Sequence, residues 1–376
     1  MPYNILVINP GSTSDDIGYY RGDETVFDVK INYTPQELAP FEGKNVAETA
    51  PLKKQMILNY LKNHNIDIKE INIVIGRGGM VKPLQAGAYR VNEAMLKDLK
   101  SGSYGMHASN LGGILAHDIA AQTGIPCLIS DAVVTDELSP LARYSGMPEL
   151  PRVSIFHALN QRRVAFLTAQ KLNKKYEDCN FVVMHAGGGV SVGAHIAGKI
   201  VDVNNALDGE GPMSPQRAGT LPAGGMARLC FSGKYTPAET GLKIKGRGGI
   251  YAHCGTHDLR ELSAYIDTGE KAQDSNINCT REKAKETCDA MIYQFSKYIG
   301  YTAAVAQGRL DAVVLTGGLM CNPYIREELQ KKAAWLKAPV FVYPGSDEKA
   351  ALREAAVRAM EDPSTIKEYK QESEIK

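Results

Sequence analysis

Short apolar segments, bounded by glycine or by polar residues, recur along the whole chain. They lie at residues 5–9, 71–76, 126–130, 181–185, 311–315 and 340–343. Runs of this length that are rich in valine and isoleucine predict buried strands. Longer segments of helical periodicity lie between them, at residues 47–63, 108–122, 154–175, 282–306 and 348–361. Strands that alternate with helices predict an α/β fold with mainly parallel sheets.

The chain contains an internal repeat of domain size. Residues 5–29 and 181–203 each read as a strand, a glycine turn, a second strand, another glycine turn and a third strand. A second pair follows in the same order, since IVIGRGGM at 73–80 and VVLTGGLM at 313–320 are each a buried strand that ends in two glycines. Two pairs of similar segments that occur in the same order favour duplication over chance.

Composition narrows the class of protein. The chain has 376 residues, which is enough for two domains, and 43 basic against 42 acidic residues give a formal net charge of +1. This balance gives no support to a nucleic-acid or anionic-membrane partner. No apolar run approaches the roughly 20 residues that span a bilayer. Seven scattered cysteines without a CxxC pair indicate reduced thiols, so we expect a cytoplasmic protein.

Two glycine turns are candidate phosphate sites. The first is NPGSTS, in which Asn9 can hydrogen-bond a phosphoryl oxygen and further donors follow at Gly11, Ser12, Thr13 and Ser14. The second is HAGGGVSVG, with candidate residues His185, Gly187, Gly188 and Gly189. Such turns let backbone N–H groups approach a phosphate closely. The first could also be an ordinary hairpin turn. No GxxxxGK[ST] segment is present, which excludes a P-loop.

Other polar residues stand at predicted element ends. Arg77 lies between glycines in GRGG, where it could hold a carboxylate or phosphate or simply lie in a surface loop. His107 and His157 lie near predicted helix starts, where they could contact an anion or serve a structural role. Asp347 and Glu348 also begin a predicted helix and could either bind Mg²⁺ or cap the helix.

These motifs together resemble the acetate kinase family, and in their details its butyrate kinase branch. The segments VINPGSTS, GRGG, HASNLGG, FHALNQ, HAGGGVSVG, GPMSPQRAGTLP and LTGGLM follow the family order over essentially the whole chain. The resemblance implies the duplicated, ribonuclease H-like βββαβαβα fold shared with sugar kinases, Hsp70 and actin, with ATP between the halves. The implied domains are residues 1–150 with a C-terminal helix at about 350–376, and residues 151–349.

The resemblance also implies roles for individual residues. Asn9 would contact the transferred phosphoryl group, and Arg77 would orient the substrate carboxylate. Arg217, in the loop at 208–222, would stabilise charge in the transition state. His157 would donate to the γ-phosphoryl group, and His107 would be a second active-site histidine.

Further implied contacts concern the acyl group, the metal and the nucleotide. Asp131 would lie near the acyl substrate and metal, and Asp347 or Glu348 would contact Mg²⁺. Adenosine would lie against Gly317 and Gly318, with Thr256 and Asp258 nearby.

The implied reaction converts butyrate, or a related short or branched fatty acid, and ATP into acyl phosphate and ADP, reversibly. Homodimers are usual in the family, so we expect at least a dimer. Two alternatives stay open, namely a kinase for acetate or propionate, and a weakly active or non-catalytic nucleotide-binding member.

Two departures from the family pattern matter. The first turn normally ends in a lysine, as in GSTSTK, whereas this chain has Asp15 and Asp16. Two anions beside the phosphate path predict repulsion, unless both aspartates point to solvent and the phosphate is held by backbone N–H groups and Asn9. An acidic residue usually follows Gly345, and here it is Ser346, which leaves fewer carboxylates for Mg²⁺.

Overall fold

A computed structural model describes residues 3–370 of the chain. The described strands are β1 Asn4–Pro10, β2 Ser14–Arg21, β3 Glu24–Asn32, β4 Ile73–Arg77, β5 Ala88–Arg90, β6 Cys127–Ser130, β7 Asn180–Ala186, β8 Val190–Ile196, β9 Lys199–Val203, β10 Ala312–Gly317, β11 Val340–Pro344 and β12 Lys367–Glu368. The described α-helices are α1 Pro35–Leu38, α2 Ala50–Asn63, α3 Glu93–Ser101, α4 Asn110–Ala120, α5 Ala158–Lys171, α6 Ala223–Cys230, α7 Pro237–Ile244, α8 Gly249–Cys254, α9 Leu259–Thr268, α10 Arg281–Ala303, α11 Pro323–Ala333 and α12 Glu348–Glu361.

The chain forms two compact units. Unit 1 comprises residues up to Asp136 together with those from Asp347 onward, and unit 2 comprises Glu137–Ser346. The sequence predicted divisions near 150 and 350. The predicted C-terminal helix ends at Glu361, and its last predicted positions, 371–376, lie outside the described residues.

Unit 1 is built on a seven-stranded mixed sheet of order β12-β5-β6-β4-β1-β2-β3. Its first three strands form an antiparallel meander, and β4 and β6 continue from β1 as parallel neighbours. The register places Ile8 beside Gly76 and Arg77 beside Ser130. The last residues of β1, β4 and β6 therefore lie along one edge of the sheet.

Unit 2 repeats this arrangement in a five-stranded sheet of order β11-β10-β7-β8-β9. The meander β7-β8-β9 corresponds to β1-β2-β3, and the parallel neighbours β10 and β11 correspond to β4 and β6. The predicted duplicated α/β fold is confirmed.

Glycine allows a helix to approach the central strands of unit 1 closely. A Cβ atom placed on Gly76 would overlap the backbone of Gly112 in α4, so neither position accommodates a larger side chain without movement. Helix α4 buries nearly all of its residues, including Leu111 and Leu115, against the core. This packing fixes the end of β4, and with it the backbone of Arg77.

In unit 2, helix α5 packs against one face of the sheet and α10 against the other. The face toward α5 carries Phe181 and Val183, and the face toward α10 carries Val182 and Met184. Alternation of side chains along one strand thus supplies both hydrophobic layers. Within residues 3–370, no helix combines the length and apolar character that crossing a membrane would require.

Candidate active site

Three of the predicted site residues gather at the carboxyl edge of the sheet in unit 1. Asn9 lies near the end of β1, Arg77 ends β4, and Asp131 directly follows β6. These strands are adjacent and parallel, so their carboxyl ends meet at one edge. In α/β sheets this edge is the usual place for a ligand.

Arg77, Asn9 and Glu348 form a hydrogen-bonded cluster at this edge. The Arg77 guanidinium donates to Glu348 Oε2 at 2.7 Å and contacts Asn9 Oδ1 at 3.4 Å. The Asn9 amide also donates to Glu348 Oε2, at 2.9 Å. Asp347 instead caps α12 by accepting from the backbone N–H of Ala350. Of the two acidic residues predicted for the metal, Glu348 is therefore the one that joins Asn9 and Arg77.

Asp131 is held in an unusual backbone conformation. Its φ angle is +41°, a region that costs a non-glycine residue energy. The buried carboxylate accepts hydrogen bonds from the Gly87 backbone N–H at 2.8 Å and from the Ser130 hydroxyl at 3.2 Å. These contacts fix the side chain just beyond the end of β6.

The first glycine turn connects β1 to β2. The N–H of Gly11 donates to the carbonyl of Ser14 at 2.7 Å and contacts the Asp15 carboxylate at 3.3 Å. That N–H therefore serves the turn itself, although the sequence suggested it as a phosphate donor. Ser12 and Thr13 are exposed at the tip of the turn.

A buried ion pair supports this turn from below. The Lys53 ammonium lies 2.6 Å from Asp15 Oδ1 and donates to the Gly11 carbonyl at 3.0 Å, while the Tyr33 hydroxyl donates to Asp15 Oδ2 at 2.6 Å. The side chains of Lys53 and Asp15 are 1% and 0% exposed. Burial lowers the pKa of Lys53, and the attraction of Asp15 opposes that shift.

The expectation that Asp15 points to solvent was wrong. Its carboxylate neither stands uncompensated beside the phosphate path nor points to solvent, because Lys53 supplies a positive charge in contact with it. Asp16 differs, since it is only half-buried and pairs in register with Asn9 across β1 and β2. Any repulsion of a phosphate would therefore come from Asp16.

His107 lies in the loop before α4 and is exposed. The backbone N–H of Ser109 donates to its Nδ1 at 3.2 Å. Since a backbone N–H can only donate, Nδ1 is unprotonated, and a neutral His107 carries its proton on Nε2.

In unit 2, Arg217 lies directly over the triple-glycine turn. A Cβ on Gly189 would overlap the Arg217 guanidinium, so only glycine leaves room for it. The Ser214 hydroxyl donates to the Gly188 carbonyl at 2.6 Å and accepts from the Arg217 backbone N–H at 3.1 Å. The irregular loop at 208–222 is thereby fastened to the turn. Burial lowers the pKa of Arg217 from its ordinary value.

His157 lies against the strand that leads into the same turn. Its ring stacks on that of His185, with centroids 3.9 Å apart and planes 9° apart. His157 Nδ1 lies 2.9 Å from the Ser191 hydroxyl, and His185 Nδ1 lies 2.8 Å from Asn160 Oδ1. Both rings are therefore fixed by stacking and by a polar partner.

Gly317 ends β10, next to the start of the triple-glycine turn. Its φ angle is +97°, and a Cβ there would overlap the backbone of Ala186. The N–H of Gly317 donates to Gly345 at 2.9 Å. A Cβ on Gly318 would meet no described atom within 4 Å, so this position faces open space.

Thr256 and Asp258 serve local structure. The Thr256 hydroxyl donates to Glu261 at 2.8 Å. Asp258 caps α9, and its hydrogen bond with Arg260 lowers the pKa of Asp258 to about 2. No contact of the described residues joins Asp258 to Gly317 or Gly318.

Thr256 also lines a cavity of 690 Å³ in unit 2, together with residues that the sequence analysis did not identify. Among these are Lys243, Arg247 and Tyr251. The backbone N–H of Gly246 donates to the Gln216 carbonyl at 2.8 Å, which joins one wall of the cavity to the loop of Arg217. Two cations and an aromatic ring suit an anionic nucleotide. Basic residues scattered through a helix and a loop gave no sequence signal for this cavity.

The metal-binding potential of the described residues is modest. Among residues 3–370, no group of three or more His, Cys, Asp or Glu side chains is arranged to hold a metal ion. Glu348 offers one carboxylate at the edge of the sheet, and Arg77 and Asn9 both donate to its Oε2. Mg²⁺ in nucleotide enzymes is typically bound by one or two carboxylates plus phosphate oxygens and water, so the Glu348 carboxylate fits such an ion.

Known proteins resemble this chain over its whole length. The profile of the Acetokinase family matches residues 152–336. A protein of Elusimicrobium minutum named "Probable butyrate kinase" is 55% identical over 98% of this chain and 100% of its own. "Butyrate kinase 2" of Clostridium acetobutylicum is 46% identical over the same shares.

Solved structures agree on the fold. The acetate kinase of Porphyromonas gingivalis superposes with a TM-score of 0.75 at 19% identity, over 95% of this chain and 100% of that one. The acetate kinase of Entamoeba histolytica superposes with a TM-score of 0.73, over 94% and 99%. The chain therefore belongs to the acetokinase family, together with the proteins named butyrate kinases.

Proposed function

We propose that this protein is an ATP-dependent carboxylate kinase that converts butyrate, or a branched relative, into its acyl phosphate and can run in reverse to make ATP. The observation that carries the proposal is the triple-glycine turn, with Arg217 packed against it at Gly189 and His185 at Gly187. His157 in turn stacks on His185. An arginine held against a glycine turn is suited to phosphoryl transfer, in which negative charge spreads over oxygen atoms.

The residues of unit 1 would handle the carboxylate. A substrate carboxylate is already a nucleophile, so the reaction needs no general base. Arg77 would orient it through paired N–H donors, and Asn9 would contact the phosphoryl group. Asp131 would lie near the acyl group, and His107 would be a second active-site histidine.

The residues of unit 2 would hold the nucleotide. The backbone of Gly187–Gly189 allows close approach of phosphate, and the open space at Gly318 suits a base lying on the backbone. The cavity lined by Lys243, Arg247 and Thr256 would take a further part of the nucleotide. Arg217 and His157 would donate to the transferring group.

Mg²⁺ would be held by Glu348 together with phosphate oxygens. When bound, the ion neutralises charge on the phosphates. Ser346, in place of the usual acidic residue, leaves Glu348 as the main carboxylate on α12 for this purpose.

A hydroxamate assay tests the proposal. The full-length protein is incubated with Mg-ATP and straight or branched acids of two to six carbons, and acyl phosphate is trapped as the hydroxamate. We expect the highest kcat/KM with butyrate or a branched C4–C5 acid. A preference for acetate or propionate would assign the protein to another carboxylate, and no product with any acid would favour a non-catalytic nucleotide-binding protein.

A cytoplasmic homo-oligomer fits these features. All seven cysteines are free thiols, which suits a reducing compartment. Leu141, Tyr144, Met147 and Leu150 are 58% or more exposed within one short segment, which supports association with a second copy. Light scattering after gel filtration should give at least twice the 40.9 kDa mass of one chain.

A further inference from the structure

A chain of hydrogen bonds runs through the interior of unit 2 to His157. It passes from the Tyr176 hydroxyl to His195 Nδ1 at 2.8 Å and from His195 Nε2 to Gln161 Oε1 at 3.0 Å. It continues from Gln161 Nε2 to Ser191 Oγ at 2.7 Å and from Ser191 Oγ to His157 Nδ1 at 2.9 Å. Tyr176 is 3% exposed, and Gln161, Ser191 and His195 are fully buried. We call this set of five side chains the relay.

The relay follows from the periodicities of one helix and one strand. His157 and Gln161 are four residues apart at the start of α5, so both lie on one face of the helix. Ser191 and His195 are four residues apart on β8. Because side chains alternate along a strand, an even spacing puts both on the same side of the sheet. Between them, a Cβ on Gly193 would lie 2.7 Å from Gln161 Oε1, so the glycine leaves room for the amide.

The direction of the proton donors is fixed in the middle of the relay. Gln161 Nε2 lies 3.1 Å from the Ser191 backbone carbonyl, which can only accept. This contact orients the amide, and Oε1 consequently faces His195 and must accept from its Nε2–H.

His195 is neutral, since burial, with a smaller effect of Arg162, lowers its pKa to about 3. With its proton on Nε2, Nδ1 is bare and accepts from the Tyr176 hydroxyl. Every donor of this half of the relay therefore points toward Gln161.

The protonation of His157 is fixed in the same way. The Ser191 oxygen accepts from Gln161 and, at 3.5 Å, from the backbone N–H of His157, so both of its lone pairs are used. The single hydroxyl proton of Ser191 is therefore left to donate to His157 Nδ1. His157 Nδ1 is then unprotonated, and the ring proton lies on Nε2. A ring protonated on both nitrogens would have to donate to Ser191 and would displace that hydroxyl proton from its acceptor.

We propose that Gln161 and Ser191 are positioning residues that hold His157 as its Nε2–H tautomer, so that this nitrogen donates to the phosphoryl group during transfer. The inference rests on the proposed function of His157. It adds that the orientation of the Gln161 amide determines, through Ser191, which nitrogen of His157 carries the proton. A histidine held in the wrong tautomer presents a bare nitrogen where a donor is required.

The test reverses the direction of the hydrogen bond between Ser191 and His157 by a substitution of equal shape. In Gln161→Glu, a carboxylate that can only accept replaces the amide, so the Ser191 hydroxyl turns toward residue 161 and its oxygen accepts from His157 Nδ1–H. Ser191→Ala removes the donor altogether and keeps the test valid if the first variant fails to fold. Thr168→Val, which removes another buried hydroxyl from α5, is the matched control.

Two measurements are made on the full-length proteins. Nitrogen-15 NMR of histidine-labelled protein, assigned with His157→Gln, should show an unprotonated Nδ1 and a protonated Nε2 in the wild type and in Thr168→Val. Both relay variants should lose this pattern. Their kcat with butyrate should fall roughly ten- to a hundredfold with the KM for ATP within about twofold, in line with outer-shell partners elsewhere.

The proposal is overturned if the wild-type His157 shows a protonated Nδ1, or if both relay variants keep the wild-type pattern and kcat. It is also overturned if Thr168→Val lowers kcat as much as they do, because the effect would then reflect general packing. The NMR result requires no turnover. A wild-type protein that makes no acyl phosphate would therefore contradict the proposed function without deciding the tautomer.

Discussion

The two glycine turns occupy equivalent positions in the duplicated fold, yet they are supported in different ways. The turn at Gly11–Ser14 rests on a fully buried ion pair between Asp15 and Lys53. The turn at Gly187–Gly189 rests on neutral hydrogen bonds and on an arginine that lies over it. Duplication therefore preserved the path of the backbone, while the charges beneath the turns diverged.

The buried ion pair bears on the lysine of the family pattern, which this chain lacks at the end of the first turn. In the family pattern a cation ends the first turn, and here Lys53 of α2 reaches the same turn through Asp15 and the Gly11 carbonyl. The positive charge is thus buried beneath the turn and compensated by Asp15. It stabilises the backbone, and we infer that it contributes little direct attraction to a phosphate.

The largest effect is expected from breaking the ion pair. Lys53→Met should lower the free energy of unfolding by roughly 3–5 kcal/mol, because it leaves the Asp15 carboxylate buried and unpaired. Urea denaturation measures the loss. The double variant Lys53→Met with Asp15→Thr should regain most of it, since no buried charge remains.

Lys62→Met, at the exposed end of the same helix, is the control and should change the unfolding free energy by less than about 0.5 kcal/mol. A loss for Lys53→Met no larger than that of Lys62→Met would show that the turn does not depend on the pair.

The second prediction concerns the support of the other turn. Arg217→Ala should lower kcat by roughly a hundredfold, because a charge contact made in the transition state is lost. Thermal unfolding should change little by comparison. Arg228→Ala, which removes an exposed arginine from α6, is the control for steady-state kinetics. Near-normal turnover in Arg217→Ala would exclude this residue from the reaction.

A third prediction concerns the buried, neutral His195 of unit 2. The pKa of His195 is about 3 in the folded protein, below its ordinary value of 6.5, so between these values the unfolded chain binds the proton and the folded one does not. Folding is therefore destabilised as the pH falls. From pH 7 to pH 5 this one group should cost about 2 kcal/mol.

His195→Gln removes that titration. Its free energy of unfolding, measured by urea denaturation, should fall about 2 kcal/mol less than that of the wild type over the same pH range. Exposed His253→Gln is the control for the loss of a histidine. Parallel pH dependences of His195→Gln and the wild type would contradict the neutral, buried state of His195.

The smallest effect is expected at Asp16, the remaining departure in the first turn. Since Asp15 is paired, only Asp16→Lys restores the family charge without breaking the ion pair. It should raise kcat/KM for ATP about two- to fivefold at low salt, a range set by the small energies of partly exposed charges, and less at high salt. Glu24→Lys, at the far end of the β2–β3 hairpin, is the charge-matched control. An equal gain in both variants would indicate a general charge effect.

Much of the fold could be predicted because it depends on local patterns. The strands at 5–9, 181–185 and 311–315 are apolar runs that are short for a helix and rich in valine or isoleucine, which favours a strand. The duplication was visible because glycine turns recur in order. The resemblance to the family implied that Asn9 and Arg77 share a site, and the parallel pairing of β1 with β4 accounts for it.

Contacts between residues distant in sequence could not be predicted. Nothing in the sequence distinguished Lys53 from other helical lysines. Its ion pair with Asp15, which compensates the charge of that aspartate, spans 38 positions. Gln161 and Ser191 likewise appeared as unremarkable polar residues within known motifs. The sequence by itself determined the elements, the repeat and the family, because these depend on periodicity and on order along the chain. The state of each buried charge and the direction of each buried proton were decided by the folded structure, because both depend on which polar atoms are brought into contact away from water.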